Sequence, residues 1–336
     1  MAEGRIRVVL CWHMHQPHYR DGLDGQYRLP WVYLHATKDY SDMVAHLESY
    51  PQARVVVNFA PVLLEQLDDY ACSMWNWLKT GEAMADPLLN QLAGVTPVAD
   101  SLETRFLVLQ NCTKAFAPTM IDPHPVFRQL LNMCGESLPE TLDQAAHLTY
   151  FSEEYFTDLL VWYHLAWMGQ SVIANDERIR ALFEKGQHFD LQDRRSLIEA
   201  IADLTGGLVG RYKALQDKGQ IEISMTPYGH PIVPLLIDFN RTHDAMPGAD
   251  LPKHSAYPDG KTRAHWHMER GIAAYRNFFG CEPKGVWLSE GAVSPEAVGL
   301  LDEFDIRWTA SGEGVWRHSC EASHIDSHDI SSKRVL

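Results

Sequence analysis

The 336-residue sequence lacks paired cysteines, long apolar runs and an excess of basic residues. Its six cysteines are scattered without a C-x-x-C pair, and a chain of this length can bury a large core without disulfide bonds. We therefore expect reduced thiols, most of them buried. No stretch approaches the ~18 apolar residues that span a bilayer, and the first residues lack the apolar segment of a secretory signal. A cytoplasmic protein with no membrane partner is expected.

The shortage of positive charge excludes a second class of partner. Lys and Arg number 29 against 44 Asp and Glu, which gives a net charge of -15. Such a chain repels nucleic acid and anionic membrane surfaces, so no nucleic acid partner is expected. Neutral ligands remain open, and so does the oligomeric state. The 10 Trp, 13 Tyr and 12 Phe supply flat rings that suit sugar faces, although core packing accounts for most of them.

Alternation of strand and helix patterns at both ends of the chain predicts an α/β fold. Short apolar runs predict strands at residues 5–11, 54–59, 285–289 and 306–310, and an alternating pattern predicts a strand at 220–225. Helical spacing of apolar residues predicts helices at 62–79 and 261–279, and a mostly helical insertion at about 86–215. The pattern indicates a parallel sheet or barrel that carries a large helical insertion.

Polar residues follow three of these strands. His13 and His15 come at the end of the first, and strand alternation places both on one face while Met14 points to the other. His230 lies in a loop after the third strand, and Glu290 directly follows the fourth. Parallel strands bring their carboxyl ends together, where barrels build active sites. A Glu there is able to attack an electrophilic carbon, and imidazoles are able to bind substrate hydroxyls.

Three motifs occur in the order found in a known enzyme family. Residues 12–17, 219–222 together with 228–235, and 285–292 resemble the first three conserved regions of glycoside hydrolase family 57. The looser similarity runs from about residue 8 to residue 315, so one catalytic unit is expected over residues 1–336. The resemblance implies an incomplete (β/α)7 barrel, a retaining mechanism and no cofactor or metal. It also implies α-glucan or oligosaccharide substrates such as starch, glycogen and maltooligosaccharides.

The resemblance also implies roles for particular residues. Glu290 would be the catalytic nucleophile that forms a covalent glycosyl-enzyme intermediate, while His13, His15 and His230 would hold hydroxyls of the sugar whose bond is broken. Further substrate-binding candidates are Trp12, Trp287, Tyr228, Glu222 and Glu313. The two tryptophans fit either a sugar-stacking wall or the core. Glu222, in mid-strand, fits either a substrate contact or an internal hydrogen bond.

A second catalytic carboxyl group is not visible in the sequence. Retaining chemistry needs two carboxyl groups about 5 to 5.5 Å apart, and the family's general acid is an Asp in a later motif. Asp302, Asp305, Asp326 and Asp329 lack the expected surroundings. Five strands also leave a seven-stranded barrel open. The expectation is an amino-terminal portion of a longer enzyme, with little hydrolytic activity of its own.

Two other functions fit the same residues. In a metal-dependent hydrolase, His13, His15 and His230 would bind zinc and Glu290 would act as a base, as in the related barrels of family 38 α-mannosidases and polysaccharide deacetylases. Those sites normally add an Asp ligand near the first His, whereas the residues beside the histidines here are Met14 and Gln16. The other alternative is a glucan-binding protein without catalysis. The sequence separates neither hydrolysis from transglycosylation nor α-1,4 from α-1,6 linkages.

Overall fold

The computed structural model describes residues 8–135, 137–254 and 256–324. The chain forms two compact units. The first, here called the sheet unit, comprises Met1–His18, Pro51–Glu65 and Tyr212–Leu336. The second, called the helical unit, comprises Tyr19–Tyr50 and Gln66–Arg211.

The sheet unit contains three parallel strands in the order β1, β2, β3. These are β1 Leu10–Met14, β2 Val55–Phe59 and β3 Ile221–Met225. The register pairs His13 with Asn58 and Asn58 with Ser224. Strands β2 and β3 are buried except at their second positions, as expected for a parallel sheet covered on both faces. The α/β fold class is therefore confirmed.

The helices account for most of the remaining chain. In chain order they are α1 Trp31–His35, α2 Ser41–Ser49, α3 Pro61–Thr80, α4 Pro87–Ala93, α5 Leu102–Cys112, α6 Pro125–Asn132, α7 Glu153–Ala166, α8 Gln170–Asn175, α9 Glu177–Lys185, α10 Leu191–Asp217, α11 Val233–Ile237, α12 Thr242–Ala245, α13 Gly260–Phe279, α14 Pro295–Glu303 and α15 Glu313–Ala322. Shorter π or 3₁₀ segments occupy Ala36–Tyr40, Ala117–Ile121, Gln144–Tyr150, Phe239–Arg241 and Ser289–Gly291. The helices predicted at 62–79 and 261–279 correspond to α3 and α13.

Three predicted strands differ from the observed ones. The first extends to Met14 instead of ending at residue 11, because pairing with β2 holds the polar residue His13 in the ladder; residues 5–7 lie outside the described part. The runs at 285–289 and 306–310 form only single parallel bridges, Met225 with Val286 and Gly285 with Trp308. The chain turns into a 3₁₀ helix at Ser289, so the fourth run is too short for a ladder.

Local capping explains where the helix after Glu290 begins. The Ser294 hydroxyl accepts a hydrogen bond from the Ala297 amide at 3.2 Å, and Pro295 occupies the first helical position. Proline suits this position because its missing N–H has no partner inside the helix anyway. This cap fixes the residue at which α14 begins after the Glu290 turn.

A buried polar network organises the helical unit. Almost every residue of α7 is buried, and its His164 Nε2 pairs with the Tyr33 hydroxyl at 2.9 Å. The Tyr70 hydroxyl donates to buried Asp86 at 2.7 Å, and the same carboxylate accepts the amide of Leu88 to cap α4. Buried polar groups are tolerated when they are paired in this way. These hydrogen bonds link α1 to α7 and α3 to the start of α4.

The structure bears on the state of the cysteines and on the length of the apolar helices. All six cysteines are free, as predicted, but Cys11, Cys72 and Cys281 are exposed, so the expectation of mostly buried thiols is wrong. Among the described helices, none combines the length and the apolar character needed to cross a membrane.

Leu67 provides a test of the packing of α3. Its side chain is 1% exposed, whereas neighbouring Asp68 is exposed. We expect Leu67→Ala to lower the free energy of unfolding by about 2 to 5 kcal/mol, because it leaves a cavity. Asp68→Ala should change it by no more than about 0.5 kcal/mol. Urea unfolding followed by circular dichroism measures both, and equal effects of the two variants would contradict the packing.

Candidate active site

Three histidines come together at the carboxyl end of the sheet. Ring centroids lie 5.8 Å apart for His13 and His15, 5.2 Å for His13 and His230, and 4.0 Å for His15 and His230. These three residues are called the histidine cluster below. The Trp287 ring meets His13 edge-on at 4.9 Å. The structure thus places side chains from β1, from the loop after β3 and from the fourth predicted strand side by side.

A row of polar side chains across the three strands orients His13. Its Nδ1 lies 2.7 Å from Asn58 Oδ1, and Asn58 Nδ2 donates to Ser224 Oγ at 2.9 Å. Asn58 and Ser224 are fully buried and occupy the paired register positions. An amide oxygen only accepts, so His13 Nδ1 carries the proton and its Nε2 presents a lone pair. The sequence analysis missed Asn58, although it is a polar residue inside the otherwise apolar strand β2, and Ser224, which lies in the alternating strand β3.

The histidine cluster is held in the neutral form. Burial lowers the pKa of His15 to about 4, and repulsion from His230 and His13 acts in the same direction. Desolvation also lowers the pKa of His13, against the opposing effects of the Asn58 hydrogen bond and the Glu290 charge. Burial and His13 lower the pKa of His230, and Glu290 opposes this shift. Neutral imidazoles both donate and accept hydrogen bonds, which suits sugar hydroxyls.

Glu290 occupies a tight turn beside the cluster. Its φ of 57° and ψ of 16° lie in the left-handed helical region, and the next residue, Gly291, has a φ of 66°. The Ser311 hydroxyl donates to the Gly291 carbonyl at 2.6 Å and anchors the turn. Glu290 is exposed, and its charge acts on His13 and His230. His230 is also left-handed, with a φ of 58°. Strain at non-glycine residues is concentrated at functional sites.

Tyr228 anchors the loop that carries His230. Its hydroxyl donates to Glu65 Oε2 at 2.5 Å, and this carboxylate also pairs with Arg270, whose guanidinium lies 4.7 Å from the Tyr228 ring. Burial and the Glu65 hydrogen bond raise the pKa of Tyr228 to about 12. The Tyr228 amide donates to the His267 carbonyl at 2.9 Å. Sequence analysis missed Glu65, Arg270 and His267, because nothing in the sequence signals such long-range partners.

The other candidate residues Glu222, Trp12 and Glu313 lie outside the histidine cluster. The Trp308 Nε1 donates to the Glu222 carboxylate at 2.7 Å. Glu222 thus makes an internal hydrogen bond, which is one of the two roles that the sequence left open for it. Trp12 is half-buried on β1, where strand alternation turns it away from His13. Glu313 begins α15 and pairs with Arg317 at 2.5 Å, so it lies on a helix rather than in a strand-end loop. These residues remain predictions as substrate contacts.

The lowered pKa of His15 predicts loss of stability in acid. An unfolded imidazole protonates below about pH 6.5, whereas folded His15 stays neutral down to about pH 4. The free energy of unfolding should therefore be fully present above pH 6.5 and fall as the pH drops toward 4. His13 and His230 add to this dependence, and Glu290 opposes it.

Urea unfolding at several pH values between about 7 and 4 measures this dependence, with His15→Gln as the test variant. Glutamine does not titrate, so the variant should show a shallower decline. His46→Gln, which changes an exposed histidine of α2, is the control and should follow the parent chain. Parallel curves for His15→Gln and the parent chain would contradict the neutral assignment.

A parallel α/β sheet with imidazoles and a carboxylate at its strand ends defines an enzyme-like site. Comparison with known families gives the class: the profile of glycosyl hydrolase family 57 matches residues 9–334, and the chain belongs to this family. A similar curated protein is the 1,4-α-glucan branching enzyme TK1436 of Thermococcus kodakarensis. It is 28% identical over 112 residues, which are 33% of this chain and 13% of that protein.

Solved structures of the same kind are also similar to this chain. The α-amylase AmyC of Thermotoga maritima is 12% identical, with a TM-score of 0.43 over 90% of this chain and 38% of the other. The family 57 branching enzyme of Pyrococcus horikoshii is 16% identical, with a TM-score of 0.40 over 90% of this chain and 41% of the other. The chain thus spans well under half the length of these enzymes.

Proposed function

We propose that this chain carries the nucleophile and the sugar-binding subsite of a retaining glycoside hydrolase or glucanotransferase that acts on α-glucans. The observation that carries the proposal is the position of Glu290. This exposed residue is held in a left-handed turn, and its charge acts on two of the three clustered neutral imidazoles. The branching enzymes and the α-amylase similar to this chain support the α-glucan substrate.

In the proposed reaction, a Glu290 carboxylate oxygen attacks the anomeric carbon of the bound sugar. The bond from that carbon to the leaving-group oxygen breaks, and a glycosyl-enzyme ester forms. The lone pair of His13 Nε2 accepts a hydrogen bond from a sugar hydroxyl, and His15 and His230 hold neighbouring hydroxyls. Asn58 supports the first of these contacts by fixing the His13 ring.

The leaving group also needs a proton from a second carboxyl group about 5 to 5.5 Å from the nucleophile. Within the described residues, Glu290 is the carboxylate whose charge acts on the histidine cluster. We assign the acid to the later family motif that the sequence analysis did not locate. The nucleophile is therefore best tested with a substrate whose departure needs no proton.

A 5-fluoro-α-glucosyl fluoride meets this requirement, because fluoride leaves unprotonated and the second fluorine slows hydrolysis of the ester. After incubation with the full chain, peptide mass spectrometry should find one fluoroglucosyl group on the peptide that contains Glu290. Glu290→Gln should remain unlabelled. Glu282→Gln, which changes an exposed carboxylate paired with Arg276, is the matched control and should be labelled like the parent chain. An adduct on another carboxylate, or an undiminished adduct in Glu290→Gln, would refute the proposal.

A further inference from the structure

The histidine cluster has a second chemical capacity besides sugar binding. One ring nitrogen from each of His13, His15 and His230 lies within 4.8 Å of the other two. Among the His, Cys, Asp and Glu side chains of the described residues, these three form the group with this spacing. The cluster therefore has the ligand number of a three-histidine metal site.

The spacing of the three nitrogens is close to that of a bound ion's ligands. Two imidazole nitrogens bound to zinc at about 2.05 Å with tetrahedral angles are about 3.4 Å apart. The longest pair in the cluster must therefore close by no more than about 1.4 Å. Rotation about side-chain bonds must supply this closure and also tilt the stacked His15 and His230 rings, which lie 17° from parallel, toward a common point. Both residues are only half-buried, which leaves room for such rotation.

The hydrogen bond from His13 to Asn58 favours metal binding in a second way. Histidine ligands usually donate their other ring N–H to a protein oxygen, which fixes the tautomer and the ring orientation. His13 Nδ1 donates to Asn58 Oδ1 at 2.7 Å, so its free Nε2 is prepared as a ligand. An all-imidazole set selects Zn²⁺, Co²⁺, Ni²⁺ or Cu²⁺ over Mg²⁺ and Ca²⁺, which prefer oxygen.

We propose that the histidine cluster binds one divalent transition-metal ion and that this ion excludes the glucan. The second half of the proposal rests on the proposed function, because the same ring nitrogens would hold the sugar hydroxyls. The ion therefore acts at this site as a reversible inhibitor of the glycosidase reaction and not as its cofactor.

Cobalt titration of the full, chelator-treated chain tests the metal site, because imidazole-bound Co²⁺ absorbs visible light. We expect an absorption band that saturates at one ion per chain. His15→Ala should weaken Co²⁺ binding at least about tenfold, since removing a ligand costs no less than removing its supporting partner. The control, His46→Ala, changes an exposed histidine of α2 and should bind like the parent chain.

Near-ultraviolet circular dichroism establishes whether each variant is folded. If His15→Ala does not fold, His230→Ala provides a second variant that lacks one ligand. Absence of a saturable band, or equal affinity in the parent chain and both folded deletions, would overturn the metal site. Binding retained only by the parent chain and His46→Ala supports it.

A competition experiment separates the metal site from the proposed function. Maltopentaose added to the cobalt-loaded chain should bleach the band, and Zn²⁺ should raise the Kd of maltopentaose measured by calorimetry. If maltopentaose binds without displacing the ion, the exclusion is overturned. If the chain binds cobalt through the cluster but never binds maltopentaose, the metal site stands and the proposed glucan site fails.

Discussion

Glu290→Ala is expected to lower the initial rate of fluoride release from α-glucosyl fluoride by on the order of 10⁴-fold or more, because loss of a nucleophile removes the covalent route outright. The fluoride substrate needs no general acid in this first step, so the first fluoride released per chain, before the ester must be hydrolysed, reports on Glu290 alone. The side chain is exposed in its turn, and its removal leaves the Ser311 anchor on the Gly291 carbonyl in place. We therefore expect the variant to fold, and circular dichroism checks this.

Azide distinguishes a lost nucleophile from a lost acid. In Glu290→Ala, azide is small enough to enter the vacated space and attack the anomeric carbon from the side the carboxylate used. The expected product is β-glucosyl azide, with the configuration inverted once, and the fluoride release rate should rise with azide concentration. Nuclear magnetic resonance of the product identifies the anomer.

An α-azide product would show instead that Glu290 serves as the acid or base and that another group is the nucleophile. The matched control is Glu282→Ala, which removes an exposed carboxylate paired with Arg276. Its fluoride turnover should equal that of the parent chain and should not respond to azide. Unchanged turnover in Glu290→Ala would remove Glu290 from the mechanism.

The grouping of the site residues follows from simple periodicity. Strand alternation turns His13 and His15 to one side, and parallel pairing brings the ends of β1 and β3 to one edge. Those two rules suffice to predict that His230 lies near the first two histidines. The Asn58 to Ser224 hydrogen bond was not predictable, because it depends on the register between strands that are far apart in sequence.

Backbone conformation set the other limit on prediction. His230 and Glu290 adopt left-handed φ values that the sequence signals only at glycine and asparagine. Likewise, the run at 285–289 has strand composition but forms one bridge, since the Ser289 turn ends it. Residue composition predicts which segments are extended. The number of residues that pair with a neighbouring strand depends on where the next turn begins, and composition does not give that position.

Gly285→Ala is expected to destabilise the chain strongly although it adds only one methyl group. An alanine Cβ there would lie 1.9 Å from Cε2 of Trp308, whose ring covers the glycine. Trp308 would have to move, and it would lose its 2.7 Å hydrogen bond to the Glu222 carboxylate. Overpacking and loss of this bond together should lower the free energy of unfolding by about 3 kcal/mol.

Gly299→Ala is the matched control, because its added methyl group meets no atom within 4 Å and lies inside helix α14. It should raise the free energy of unfolding by about 0.5 to 1 kcal/mol, since alanine favours helix over glycine. A double-mutant cycle assigns the mechanism: with Trp308→Ala in place, Gly285→Ala has no ring to displace and should cost little. Urea unfolding measures all four corners of the cycle. An equal cost of Gly285→Ala in both backgrounds would mean that Trp308 is not what forces glycine at this position.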